Sequence, residues 1–152
     1  MTMQVLRTTS ENKHFISLVE QLDKYLTVLD GEEHDFYNQF NGIDLLKNCI
    51  VIYDKDKTIA CGAIKKMDDT SYEVKRMYVI PEVRGKGVAT HILKELETWA
   101  KELGATHCIL ETGKRMQDAV QLYTKNGYAR IENYGPYVGV ENSVCFKKDF
   151  GS

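Results

Sequence analysis

The sequence predicts a mixed α/β fold: a central mixed sheet with helices on both faces. Three observations lead there. The 152 residues suit a single domain spanning 1–152. Apolar residues recur at helical spacing in some segments and as short β-rich runs in others. Direct strand-to-strand turns also alternate with strand–helix–strand units, a mixture that calls for a mixed sheet covered on two sides.

Gln4–Thr8 reads as the first strand, and Ser10 is placed as the N-cap of the helix after it. That helix carries Phe15, Leu18, Val19, Leu22, Tyr25, Leu26 and Leu29 at helical spacing and is expected to stop at Gly31. A second helix is expected over Glu33–Phe40, or resuming near Ile43–Lys47. Cys49–Tyr53 and Thr58–Lys65 form a hairpin around the polar turn Asp54–Lys57. Tyr72–Ile80 is a long strand stopped by Pro81. Val88–Leu103 is the strongest helix, with the stripe Val88, Ile92, Leu96, Trp99 and Leu103 and Gly104 as its C-cap. His107–Glu111 reads as a central strand buried on both faces. A helix over Gln117–Lys125 closes at Asn126-Gly127, and strands follow at Tyr128–Tyr134 and Ser143–Lys148.

Composition excludes several classes. Twenty basic and 22 acidic residues give a net charge of -2, which is no footprint for nucleic acid. No run approaches the ~20 apolar residues of a membrane helix, and the start does not read as a signal peptide. Cys49, Cys61, Cys108 and Cys145 lack zinc or redox spacing and are expected as buried thiols in a reduced, cytoplasmic setting. His14, His34, His91 and His107 have no metal-site spacing, so no metal is expected.

The informative stretch is Tyr78–Ala89, a strand, a tight loop and the start of a helix. A helix N-terminus offers unpaired N–H groups and partial positive charge, both suited to phosphate. Gly85 and Gly87 let the main chain approach a ligand closely, and Arg84 and Lys86 add positive charge. The spacing is not that of a P-loop, and one glycine is missing for a dinucleotide fingerprint. A glycine-rich turn that only starts a helix is the plain alternative.

Arg84-Gly85-Lys86-Gly87-Val88-Ala89 resembles the Arg/Gln-x-x-Gly-x-Gly/Ala signature of the GNAT superfamily of acyl-CoA-dependent N-acetyltransferases. Val79-Ile80-Pro81-Glu82 resembles that family's strand exit, and Ala119–Tyr128 its second recurring segment, a helix ending in Tyr-x-Lys-x-Gly-aromatic. Two motifs in register agree better than either alone. The resemblance implies a GNAT fold with a mostly antiparallel sheet of six to seven strands. It implies acetyl-CoA as co-substrate, its pyrophosphate on the main chain of Arg84, Gly85, Lys86, Gly87, Val88 and Ala89. The pantetheine arm would run beside Met77, Tyr78 and Val79, in a cleft opened where that strand splays from Cys108–Glu111. One position departs from the pattern: Met116 stands where Asn or Gln is common.

An alkyl amine of pKa near 10.4 is almost fully protonated at pH 7, a handicap of roughly 4.6 kcal/mol, so a base is needed. Glu73 is the candidate base: it matches the family's glutamate by position, and Glu73, Lys75 and Arg76 break an otherwise apolar strand. A structural ion pair is the competing account. Tyr123 matches the family's tyrosine facing sulfur and is the candidate acid, with an amphipathic core tyrosine as the alternative. Main-chain N–H near Val79 is expected to polarise the thioester. Glu111 and Tyr134 are candidate substrate contacts, Glu111 alternatively capping the next turn. Tyr137 and Asn142 share the last loop.

The expected reaction is direct acetyl transfer to a small primary amine or amino acid in a ternary complex. No cysteine has an activating neighbour for a covalent route. A protein lysine or N-terminus is the second acceptor class, and a non-catalytic acyl-CoA sensor or a nucleotide-binding module are readings of other kinds. A homodimer is compatible with a domain of this size.

Overall fold

The computed structural model describes residues 1–30 and 45–151. In chain order the elements are β1 (Met3–Thr8), α1 (Lys13–Asp30), β2 (Asn48–Asp54), β3 (Lys57–Lys66), β4 (Ser71–Val79), α2 (Val88–Glu102), β5 (His107–Gly113), α3 (Gln117–Lys125), β6 (Ala129–Ile131) and β7 (Ser143–Asp149). Short 3₁₀ turns occupy Pro81–Val83 and Gly135–Tyr137.

The strands form one seven-stranded sheet in the order β1-β2-β3-β4-β5-β7-β6. Every neighbouring pair is antiparallel except β4 and β5. That parallel pair needs a crossover, and α2 supplies it. The pairing covers only Ser71–Glu73 against His107–Ile109. Beyond Glu73 and Ile109 the two strands part.

The faces of the sheet follow from side-chain contacts. Tyr78 reaches Gln21 of α1 at 3.5 Å, so its face carries α1. An added Cβ at Gly62 of β3 would lie 2.9 Å from Ile92 and Leu96 of α2. Glycine is therefore required there, because α2 lies directly on the β3 backbone. On the same face as α2, Tyr123 of α3 packs edge-on against Tyr128, and Tyr128 donates to Glu97 of α2 at 2.9 Å. So α1 covers one face and α2 with α3 the other.

The core of the sheet is built from apolar side chains. Ile50, Ile52, Ile59, Ile64, Ile92, Leu93 and Leu96 are fully buried, each contributing about 1.5–3 kcal/mol of transfer free energy. Helices α2 and α3 both end in a Schellman arrangement. Gly104 (φ 98°) follows α2 and Gly127 (φ 92°) follows α3. The N–H of Ala105 returns to Ala100 O and that of Tyr128 to Tyr123 O.

Several sequence expectations are corrected. Asn12, not Ser10, caps α1: its Oδ1 accepts the N–H of His14 and of Phe15. Ser10 is buried and instead ties down the segment before β2, donating its backbone N–H to Leu46 O and accepting the N–H of Leu46 on Oγ. Leu103 is exposed, and the buried face of α2 runs through Leu93 and Ala100 instead. Strand β5 is buried on one face only: Cys108, Leu110 and Thr112 are covered, whereas the alternate residues are half-buried. Strand β6 is shorter than expected, ending at Ile131. The stop at Gly31 and the expected helix over 33–40 lie outside the described residues. Residues 45–47 are not helical.

Candidate active site

Where β4 and β5 part, a cleft of about 640 Å³ opens. One end is the loop between β4 and α2. Gly85 (φ 78°) and Gly87 (φ 82°) hold left-handed conformations there, and Gly87 stands at the N-cap of α2. Among the described residues no atom beyond the chain neighbours lies within 4 Å of where a Cβ would stand at either glycine, so the main chain is open to a ligand. Arg84 folds back: its Nε donates to Val79 O at 3.0 Å, and its guanidinium lies 5.3 Å from the Tyr25 ring centroid and 5.7 Å from that of Tyr78. These contacts set the loop's entry angle. Val88 is buried and anchors the helix start. Lys86 is exposed and lies outside the cleft lining.

A long thin ligand could follow β4 from this loop, because among the described residues the edge of β4 past Glu73 has no strand partner. Met77, Tyr78 and Val79 line that path. Met77 faces α2 and Tyr78 faces α1. Coenzyme A fits this layout in its pieces: an anionic diphosphate for the helix N-terminus and an amide-bearing arm for a free strand edge.

At the other end, Glu73 is buried, at 5% exposure. Its Oε2 accepts a hydrogen bond from the Tyr134 hydroxyl, and its Oε1 is 3.3 Å from Lys75 Nζ. Tyr134 is half-buried, and desolvation followed by the Glu73 charge drives its pKa upward, so it stays protonated and donates. It does not line the cleft; it stands behind Glu73, edge-on to Tyr137. Glu111 lines the cleft from β5 and accepts from Ser143 Oγ of β7 at 2.7 Å.

Tyr123 lines the cleft from the opposite face of the sheet, packed against Tyr128 and Phe146. Burial, with the nearby Glu111 charge, pushes its pKa well up. The two residues proposed for proton work thus flank one cleft from two sides. Met116 also lines the cleft, its sulfur 3.7 Å from Thr112 Oγ1.

Sequence reading noticed Lys75 and Arg76 only as charges in an apolar strand. The structure makes them neighbours in the cleft wall. A bulge is the cause. Ala63 of β3 pairs with Lys75 and Cys61 with Tyr78, so Arg76 and Met77 together oppose Gly62. Arg76 takes φ 59°, a conformation costing a non-glycine residue about 1–3 kcal/mol. No glycine or asparagine marks the place, so sequence had no signal for it.

All four cysteines are free and buried. Among the described residues no group of three or more His, Cys, Asp or Glu could hold a metal. No described helix is long and apolar enough to cross a membrane.

Comparison with known proteins agrees with this geometry. The model of the acetyltransferase (GNAT) family matches residues 15–128. The IAA acetyltransferase of Azospirillum brasilense is 32% identical over 124 residues, 80% of this chain and 81% of the relative. A crystal structure of a Klebsiella pneumoniae protein assigned as an acyl-CoA N-acyltransferase is 26% identical, with a TM-score of 0.83 over 99% of both chains. The fold also matches the PaiA N-acetyltransferase of Thermoplasma acidophilum, solved with coenzyme A, at 18% identity and a TM-score of 0.72 over 99% of this chain and 100% of that one.

Proposed function

The chain belongs to the GNAT family of acetyltransferases, and from that premise we propose that it moves the acetyl group of acetyl-CoA to the primary amine of a small amine or amino acid by direct attack in a ternary complex. The observation that carries this reading is the parting of β4 from β5 after Glu73 and Ile109. It opens one cleft with an anion-binding loop at one end and proton-handling side chains at the other.

Bound acetyl-CoA would supply an activated thioester. The chain supplies the rest. The main chain of Gly85–Ala89 at the start of α2 holds the diphosphate. The unpaired edge of β4 aligns the arm, and N–H groups near Val79 stabilise the oxyanion as charge develops on the carbonyl. Glu73 receives the proton that the amine must lose. Lys75 and the Tyr134 hydroxyl hold its carboxylate in place. Tyr123 retains its proton at neutral pH because burial raises its pKa. A thiol has a pKa near 8.5, so full transfer from Tyr123 to sulfur is uphill and its role is to donate a hydrogen bond to the departing thiolate.

The test is thiol release from acetyl-CoA across a panel of amines and amino acids, with Glu73→Gln and Tyr123→Phe beside the wild type. Turnover with one acceptor group, lost in Glu73→Gln and reduced in Tyr123→Phe, supports the reading. Coenzyme A binding by calorimetry without turnover on any amine points to a protein acceptor or a sensor. No coenzyme A binding refutes it.

A further inference from the structure

The charges on the α1 face of the cleft specify more than an amine. Regular strand alternation would place Lys75 and Arg76 on opposite faces of β4. The bulge at Arg76 cancels that alternation. Lys75 stays on the face of Ala63 and Tyr78, pairing with Glu73 at 3.3 Å. Arg76 turns to the same face, its Nη1 3.4 Å from Asp23 of α1. Both line the cleft, together with Glu73 and Glu111. The cleft wall at the acceptor end therefore carries two cations, Lys75 and Arg76, beside the carboxylates of Glu73 and Glu111, with Asp23 reaching Arg76 from α1 outside the lining.

A site for a polyamine would be expected to carry surplus negative charge, since each further ammonium must be neutralised when it leaves water. Here a second ammonium would meet Lys75 and Arg76. A ligand with one amine and one carboxylate finds in the lining a group of opposite sign for each of its charges. We propose that the acceptor is a free amino-carboxylate, its carboxylate held by Lys75 and Arg76 and its amine directed to Glu73 and Glu111. This rests on the acetyl-transfer reading above and narrows it.

The experiment uses the full chain and matched acceptors that differ only in a carboxylate: lysine against cadaverine and phenylalanine against phenethylamine, with spermidine added. In at least one pair the carboxylate-bearing member should be preferred at least about tenfold in kcat/KM. Lys75→Met should collapse that preference through a higher KM for the amino acid. Lys75→Arg, which keeps the charge, should retain most of it. Preference for the decarboxylated partners or spermidine, no turnover of any amino-carboxylate, or an unchanged preference in Lys75→Met overturns the proposal. Spermidine turnover alone would sink it while leaving acetyl transfer intact, whereas absent coenzyme A binding would sink acetyl transfer itself.

Discussion

The hydroxyl of Tyr134 donates a 2.5 Å hydrogen bond to Oε2 of Glu73, joining positions 61 residues apart. The loop after β6 thereby fixes a carboxylate at the start of β4. Glu73→Gln should lower kcat by about 10²–10⁴-fold, the usual weight of a general base. Tyr134→Phe should lower it about tenfold, one hydrogen bond to a charged group. If Tyr134 acts through Glu73, the double variant will be no slower than Glu73→Gln alone. Steady-state kinetics decides this, and additive losses would give Tyr134 a role of its own.

Gly87 separates backbone strain from ligand contact. Its φ of 82° is left-handed, and open space surrounds it. Gly87→Ala should cost about 1 kcal/mol of stability and also weaken coenzyme A binding, because the new methyl group stands where a phosphate would approach. Gly104→Ala is the control, since its φ of 98° is equally strained but lies at the far end of α2. It should lose similar stability in urea and bind coenzyme A as the wild type does by calorimetry.

The buried group Glu97–Lys148–Tyr128 predicts an asymmetry. Lys148 Nζ and the Tyr128 hydroxyl each lie 2.9 Å from the Glu97 carboxylate. The Glu97 side chain is 7% exposed and that of Lys148 27%. Removing the lysine strands a buried charge, whereas neutralising the glutamate strands a cation that can still reach water. Lys148→Met should therefore cost about 3 kcal/mol and Glu97→Gln about 1 kcal/mol. Equal losses in urea denaturation would contradict this account.

Alkaline pH should destabilise the fold. Burial pushes the Cys49 and Cys108 thiols up to about 12. Cys61, Cys145, Tyr123, Tyr128 and Tyr134 shift upward as well, burial being the main cause. In the unfolded chain thiols titrate near 8.5 and tyrosines near 10. Above those values the unfolded chain releases protons that the native chain keeps, so stability falls as pH rises. The contribution is intact below pH ~8.5 and is lost progressively above it, more steeply past pH ~10. A Tm that stays level from pH 8 to 11 would contradict these assignments.

Legibility in the sequence followed the range of the interaction. The bounds of α3 and the Schellman ends at Gly104 and Gly127 depend on neighbours within one helical turn, so local pattern was enough. The Arg84–Ala89 loop was readable for the same reason. Glu73 stood out because a carboxylate interrupts an apolar strand. The cap of α1 was misplaced by two residues, since Ser10 and Asn12 both suit the role and only the approach of Leu46 decides between them. The Glu73–Tyr134 and Glu111–Ser143 bonds join distant segments and leave no local trace. The bulge at Arg76 is set by how β4 meets β3, which no window of β4 alone reveals.

The order of the strands also bears on when the site can exist. Of the seven described strands β7 is the last to be synthesised, yet it lies inside the sheet, between β5 and β6. Until it emerges, β6 has nothing to pair with and β5 lacks its antiparallel neighbour. Glu111 likewise waits for Ser143. A nascent chain would carry the α2 loop early but could not complete the second cleft wall. Assembly of the site thus waits until β7 has been made and has paired with β5.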